Sequence, residues 1–361
     1  MKVLKYKIQL LLIGMVVSSL VWAGNDERAG QAGASELLVN PWSRSTGMGN
    51  SGILLTHGIE AMHLNVAGLA DVQKLEINFS HRDWLGQAGI DINAFGIASH
   101  VGESGVIGLE IMTMSIGKIE KTTVNLPEGG QGTFSPLFFT MGISYAKQFS
   151  KRINGGITFR LIHEEITNVQ ANGVAIDAGI NYTTGINDEI KFGIALKNIG
   201  PAMVYSGSGL TVTGEIPGSG RPITQEQRSQ QFELPSLLHI GLSYDFLFTM
   251  VEDSLDRGIR AMHRLSPAFN FTSNSFTPDL FAFGAEYAFK EMFMGRLGYV
   301  FEGNTGVGGL GSTALTGISV GATVEYPISK KKSTNTIALD FSWQQTDNFG
   351  GITSLGLRMN M

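Results

Sequence analysis

The last eleven residues alternate without a break. Thr353, Leu355, Leu357, Met359 and Met361 fall on one face, and Ile352, Ser354, Gly356, Arg358 and Asn360 fall on the other. Side chains of a strand have a period of two, so such a segment presents one apolar and one mostly polar face. The pattern recurs along the chain and predicts strands over 74–83, 88–101, 105–118, 135–148, 155–168, 173–184, 189–199, 235–246, 258–271, 279–289, 291–302, 316–326, 333–345 and 350–361. That is about fourteen, an even number of the kind that closes a bacterial membrane barrel. The expected fold is therefore an all-β, transmembrane antiparallel barrel, with an N-terminal segment in its lumen.

Composition agrees. Charged residues make up 16% of the 361 residues and there are 47 glycines, against roughly 25% charged and about 7% glycine in soluble domains. Glycine suits crowded, curved strands. A formal net charge of −5 leaves no basic footprint for nucleic acid, and the lack of cysteine excludes thiolate metal sites, catalytic thiols and disulfides. Residues 1–23 read as a signal peptide. Lys2, Lys5 and Lys7 precede an apolar run from Ile8 to Leu20, and Val21-Trp22-Ala23 offers a cleavage site. The run is shorter than the ~20 residues of a membrane-spanning helix. The organisation expected from these features is a signal peptide at 1–23, a lumen or hatch segment at 24–71 and a barrel at 72–361.

The connections separate a membrane barrel from a soluble sandwich. Gly102–Ser104, 150–154, Thr184–Asp188 and Pro327–Lys332 are short; Glu120–Phe134, Gly200–Pro235 and Gly303–Leu315 are long. Short turns at one end and long loops at the other are the habit of outer-membrane barrels. With both termini periplasmic, all three long links lie outside. The expected inward faces carry Glu76, Arg82, Asp91, Glu110, Arg160, Glu164, Asp177, Lys191, Lys197, Asp245, Glu286, Arg296, Glu325, Asp340 and Arg358. Their mixed signs suit mutual pairing better than a selective path.

Little points to catalysis. Gly306-Val307-Gly308-Gly309-Leu310-Gly311 matches a dinucleotide fingerprint, but a strand follows it where that fingerprint needs a helix, and no helical period appears. His57, Glu60 and His63 lack ligand spacing for a metal. Lys330, Lys331 and Lys332 read as a solvated turn. No nucleophile elbow is present, and the expectation is a protein that is not an enzyme and has neither cofactor nor metal.

Several glycine-bearing segments carry a resemblance. Ser43-Arg44-Ser45-Thr46-Gly47-Met48-Gly49-Asn50-Ser51, then Gly58 to Ala70 with Asn65-Val66-Ala67-Gly68-Leu69, then Gly132 to Pro136, Gly173 to Gly179, Asn198-Ile199-Gly200-Pro201, Tyr205-Ser206-Gly207 and Phe232-Glu233-Leu234-Pro235 follow one another in order. The chain thereby resembles the PorV/PorQ family of outer-membrane proteins, with Val66 where that family has proline. The resemblance implies a fourteen-stranded barrel similar to the long-chain fatty-acid transporter fold. It also implies a role in the type IX secretion system of Bacteroidota, binding C-terminal signal domains of cargo, the translocon or the attachment complex. Phe134, Pro136, Tyr205, Leu210 and Phe232 in the surface loops would meet such partners. Arg44, Gly47, Gly49, Asn65, Gly68 and Leu69 would build the lumen segment. The alternative is a passive transporter of hydrophobic small molecules in outer-membrane lipid, with Met112, Met114 and Phe95 among the inward positions.

Overall fold

The structure is a computed structural model that describes residues 28, 30–85, 89–215, 221–252, 259–303, 313–328, 335–346 and 350–361. The expected signal peptide, the Gly306–Gly311 segment and the Lys330–Lys332 turn lie outside the described residues. Fourteen strands make the wall: β1 Leu75–Trp84, β2 Ile90–Val101, β3 Gly105–Ser115, β4 Leu137–Ser150, β5 Ile153–Ile166, β6 Val169–Thr184, β7 Ile190–Ile199, β8 Leu237–Tyr244, β9 Ile259–Asn274, β10 Leu280–Phe289, β11 Phe293–Glu302, β12 Gly317–Pro327, β13 Thr336–Gln344 and β14 Ile352–Asn360. Each pairs antiparallel with its neighbour in sequence, and β14 closes on β1 with Glu76 opposite Asn360. Closure leaves no open edge, as a wall in lipid requires. The expected all-β barrel is the observed fold.

Both ends of the wall strands nearest the termini, Leu75 and Asn360, share one rim, called here the terminal rim. The three long links all leave from the opposite loop rim. One turn at the terminal rim is longer than a turn. Past Asp245 the line of β8 resumes at Phe246–Glu252, still paired in the same register with β9, Phe246 opposite Leu265 and Glu252 opposite Ile259.

Outward side chains form the apolar band that the alternation implied, with Leu355 60% and Leu339 64% exposed in the absence of lipid. Two assignments of face need correction. Phe95, expected inside, is outward and 43% exposed, and the Asp91 side chain is outward and 54% exposed beside His81. On β2 the inward positions are Ile92, Ala94, Gly96 and Ala98, all buried and none of them charged. The inside of this barrel is packed by protein, so alternation there does not separate lumen from lipid.

The packing comes from residues 34–72, nearly all of them buried inside the wall. Their helical pieces are single turns, Ser43–Thr46 and Ala61–Leu64, with 3-10 turns at Ser35–Leu38, Gly58–Glu60 and Val66–Asp71. Turns this short have no stability of their own, so tertiary contact holds them. Asn65 shows how. Its Oδ1 accepts the Ala67 N–H at 3.1 Å, capping the last turn, and its amide nitrogen donates to Asn181 Oδ1 at 2.7 Å on β6.

The wall receives this hatch through inward glycines on most of its strands. A Cβ at Gly356 would lie 3.2 Å from Ser43 Oγ, one at Gly321 2.9 Å from Gly47 Cα, one at Gly298 2.3 Å from the Met48 carbonyl, and one at Gly241 2.5 Å from Ile53. At Gly179 and Gly108 the obstacles are Asn65 Oδ1 at 2.0 Å and Met62 sulfur at 2.7 Å. The hatch thus winds round the inner circumference with its backbone laid against the backbone of the wall.

Candidate functional site

The hatch divides the lumen in two. At the terminal rim lies a polar chamber of about 420 Å³, reached by Arg44, Glu76, Lys191, Asp245, Arg264, Glu325 and Arg358. Most of its charges are paired, while Glu76 accepts the Ile59 N–H at 3.0 Å. Glu286 meets Arg296 at 2.6 Å, Arg264 at 2.8 Å and Arg44 at 3.4 Å; Arg358 meets Glu325 at 3.0 Å; Lys191 meets Asp245 at 2.9 Å. Deeper in the wall, Arg160 bridges Glu110 at 3.0 Å and Asp177 at 3.1 Å, and Glu110 also accepts Trp42 Nε1 from the hatch at 2.9 Å. At the chamber mouth, burial acts to raise the Asp71 carboxyl. The His57 ring at 2.5 Å and the Asn154 amide at 2.9 Å outweigh burial and hold it below the ordinary carboxylate range. Such pairs hold the hatch in one setting, because removing one partner strands a buried charge.

Toward the loop rim lies a different space, an apolar cavity of about 320 Å³. Leu38 and Val39 of the hatch form one side; Trp84, Met114, Leu237, Leu280, Ala282 and Val300 from five strands form the rest, with Leu315 reaching over from the link to β12. Met112, one position inward from Met114, packs on Val39 and Ile92 in the same apolar cluster. The polar residues round the cavity include Glu36, His239, Asn270 and Gln344. Burial pushes the Glu36 carboxyl up to about 8, with the neighbouring Glu164 carboxyl adding to the effect.

Beside this cavity the wall is interrupted. β6 and β7 are in register from Thr184 opposite Ile190 to Ala178 opposite Leu196, and then the register slips, with Ile176 opposite Ile199. Asn198 takes a left-handed conformation at φ 59° and sends its amide to the Pro235 carbonyl at 3.0 Å. The chain then leaves the wall at Gly200, so close to β6 that a Cβ there would lie 2.1 Å from the Val174 carbonyl. Beyond that point the edge of β6 meets only Tyr205–Ser206, opposite Ala171 and Gln170. From outside, the place is an apolar groove of about 580 Å³ between Phe139, Leu161, Val174 and Pro201. From inside, Met203, Leu234, Ala34 and Leu37 fill it against Ile162, Ala171 and Ala175. The Ser35–Leu38 turn is therefore a partition, with Leu37 on the interruption and Leu38 on the cavity.

The residues singled out in the sequence fall into two groups. Arg44 reaches Glu286, Gly47 lies on Gly321, Gly49 is left-handed at φ 60° beside Val300, Gly68 is pressed on the Thr56 carbonyl, and Leu69 is buried against Gly108. Of the loop residues, Phe134 is half-buried in a two-residue ribbon opposite Ile119, Pro136 is buried, and Leu210 is half-buried in a short turn. Tyr205 and Phe232 lie with ring centroids 5.3 Å apart against the inside of the wall, where Tyr205 donates to Glu164 of β5 and Phe232 covers Gly33. His57, Glu60 and His63 part company. His57 pairs with Asp71, while Glu60 accepts the Ser45 N–H at 3.3 Å, and no trio of metal-ligating side chains gathers among the described residues. The cavity itself was not foreseen as a set, because its walls come from strands far apart in sequence.

No family profile and no curated relative matches the chain. Solved structures do. A monoaromatic hydrocarbon channel, CymD, is 13% identical, with a TM-score of 0.57 over 90% of this chain and 98% of its own. The Pseudomonas putida toluene transporter TodX is 11% identical, with a TM-score of 0.53 over 89% and 97%. The Ralstonia pickettii toluene transporter TbuX is 13% identical, with a TM-score of 0.52 over 88% and 98%. At such identity the likeness is one of fold, that of bacterial outer-membrane channels. It agrees with the fatty-acid-transporter-like barrel that the resemblance implied and offers nothing for PorV/PorQ membership; the expected role in type IX secretion is corrected, since the solved barrels that share this architecture almost end to end are hydrocarbon channels and transporters. The physical reason is visible. Three of the segments that carried the resemblance, Arg44–Gly49, Asn65–Leu69 and Asn198–Pro201, are where the hatch meets the wall and where the wall breaks. Their packing is that of a plugged barrel.

Proposed function

We propose that this protein is a non-enzymatic, passive transporter of hydrophobic small molecules in the bacterial outer membrane, with its termini in the periplasm. The observation that carries the reading is the apolar cavity of about 320 Å³ on the loop side of the hatch. It is within the ~300–1,000 Å³ of small-molecule pockets, and an apolar cavity of about 150 Å³ suffices for benzene. The charged chamber beyond the hatch is no place for a hydrocarbon. The wall interruption between β6 and β7 is lined mostly by apolar groups on both sides, and among the described residues the Ser35–Leu38 turn and the Met203–Leu234 cluster stand between it and the cavity. In this reading a solute enters from the loop rim, occupies the cavity and leaves sideways into lipid when the partition shifts. The fold likeness to hydrocarbon channels supports the same direction.

Ala282 points into the cavity from β10 and is buried. Ala282→Trp should abolish most protein-dependent uptake of a toluene-sized hydrocarbon by cells, while the barrel keeps its heat-modifiable migration. Unchanged uptake with a folded barrel would sink the reading.

A further inference from the structure

Four side-chain amides line the cavity, and three of them turn their oxygen into the protein. Asn274 Oδ1 accepts the Phe276 N–H at 3.0 Å, and Gln344 Oε1 accepts from the Arg82 guanidinium at 2.7 Å. Those two donors cannot accept, so both amides are fixed in orientation. Asn50 is fixed one step further on. Asn40 Oδ1 accepts the Trp42 N–H at 3.0 Å, so it is the Asn40 nitrogen that donates to Asn50 Oδ1 at 2.7 Å. What each of the three residues has left is an NH2 group. Asn50 Nδ2, Asn274 Nδ2 and Gln344 Nε2 have no partner among the described residues, and none of them is sealed off from the space its residue lines. The fourth amide, Asn270, is spent inside the wall, its nitrogen on the Asn50 carbonyl at 3.3 Å and its oxygen closed to the cavity. At Gln344 the donor is also sharpened. Arg82 is 1% exposed, has no carboxylate partner among the described residues, and divides its N–H groups between Gln344 Oε1 and the Asn40 carbonyl at 3.0 Å. A charged donor on the oxygen of an amide polarises the N–H groups at its other end.

We infer that the preferred occupant of the cavity is a compact apolar molecule whose one polar group is a carbonyl, as in a ketone, aldehyde or ester, with its oxygen held by an amide N–H of Asn50, Asn274 or Gln344. This rests on the channel reading and sharpens it. A hydrocarbon of the same shape fills the apolar wall of Leu38, Val39, Trp84 and Met114 but leaves the N–H groups unmet. A carboxylate brings a charge into the cavity, and the described lining holds Glu36 but no lysine or arginine to meet it. One neutral acceptor well placed on such a donor is worth on the order of ten-fold in affinity.

The test uses the full chain in lipid nanodiscs and equilibrium dialysis. Binding of each neutral probe is divided by its partition into empty nanodiscs, which removes plain hydrophobicity. The probes are 4-methylacetophenone, 1-isopropyl-4-methylbenzene, which has a methyl-bearing carbon in place of the carbonyl, and 4-methylbenzoate. On this measure the native protein should favour the ketone over the hydrocarbon by about ten-fold, and 4-methylbenzoate should not bind beyond empty nanodiscs. Asn50→Asp, Asn274→Asp and Gln344→Glu each keep the oxygen that the protein uses and replace the NH2 group by a second oxygen. Together they should bring the ratio toward one while the hydrocarbon is still held, and the single variants show which amide the carbonyl meets. If the triple variant does not fold, one of the single variants must lower the ratio. A ratio near one in the native protein, a ratio that no variant lowers, or tighter binding of 4-methylbenzoate than of the ketone overturns the inference. If both neutral probes bind equally and Ala282→Trp excludes both, the carbonyl preference is wrong and the channel reading stands. If neither binds beyond empty nanodiscs, the channel reading itself fails and the inference falls with it.

Discussion

A methyl group added at Gly298 should damage this barrel, and one added three residues earlier should not. Gly298 faces inward from β11, and a Cβ there would sit 2.3 Å from both the carbonyl carbon and oxygen of Met48 and 2.5 Å from Ser319 Oγ. Ordinary contact between heavy atoms needs about 3.5 Å, so the hatch backbone would have to recede by roughly 1 Å. It has nowhere to go, because the preceding Gly47 is already so close to Gly321 that a Cβ on either would lie within 3 Å of the other's Cα. Overpacking of this kind costs typically 1–3 kcal/mol, and an obstacle made of backbone, which has no rotamer to change, puts Gly298→Ala near the top of that range, about 3 kcal/mol. Gly295 on the same strand points outward with nothing within 4 Å of its would-be Cβ. Gly295→Ala should leave the barrel as stable or more so, by about 0.4–1 kcal/mol, through the reduced freedom of the unfolded chain. Urea unfolding of the reconstituted barrel, followed by tryptophan fluorescence at equal slope, compares the two. Planar-bilayer conductance adds a second reading, since a displaced hatch opens the lumen to ions. If Gly298→Ala proves as stable and as ion-tight as Gly295→Ala, the close apposition of hatch and wall is wrong.

Two further outcomes follow from the buried acids. Glu36 has a folded-state pKa of about 8 against an ordinary 4.5, so the folded state keeps a proton that the unfolded chain gives up. Stability is then lost as pH rises from about 4.5 through 8, by up to roughly 5 kcal/mol for a shift of that size; Glu36→Gln should flatten the difference between unfolding midpoints at pH 5 and pH 9, and an equal slope in both proteins would refute the assignment. Glu286→Gln leaves Arg44, Arg264 and Arg296 without their common anion and should destabilise by about 3–5 kcal/mol, whereas Glu291→Gln, half-exposed and paired with Arg264 alone, should cost about 1 kcal/mol or less; similar urea midpoints for the two variants would argue against the cluster.

The wall was largely legible in the sequence, because lipid on one side imposes a period of two with few exceptions, as in Leu355, Leu357 and Met359 of β14. The exceptions are instructive. Around Asp91 and Phe95 both faces of β2 carry apolar residues, one for lipid and one for Ile59 and Val39 of the hatch, so parity could not be read. The inward glycines were also in plain view. They were attributed to curvature, when their regular placement on the inner face of strand after strand marks a hatch laid directly on the wall's backbone. The cavity was beyond reach, since Val39, Met114, Leu280 and Val300 are neighbours only once the wall closes. Function failed for a related reason. Motifs such as Arg44–Gly49 and Asn65–Leu69, set by the packing of hatch on wall, carried a family resemblance, and the secretion role came with that resemblance rather than from any residue.

The order of the hatch contacts has a consequence for how such a molecule comes to be. Residues 43–46 touch β1 through Ser43 and Ser80, and touch β13 through Thr46 and Ser342, 296 residues later in the chain. The seam between β14 and β1 therefore closes around a segment synthesised before any strand. Where hatch and wall meet backbone to backbone, as Gly47 and Gly321 do, a closed ring leaves that segment no clearance to slide into place afterwards. Assembly has to gather the strands about a guest already in place, and the slow, non-local character of those contacts makes the first seventy residues, rather than the last strand, the part that sets when the ring can shut.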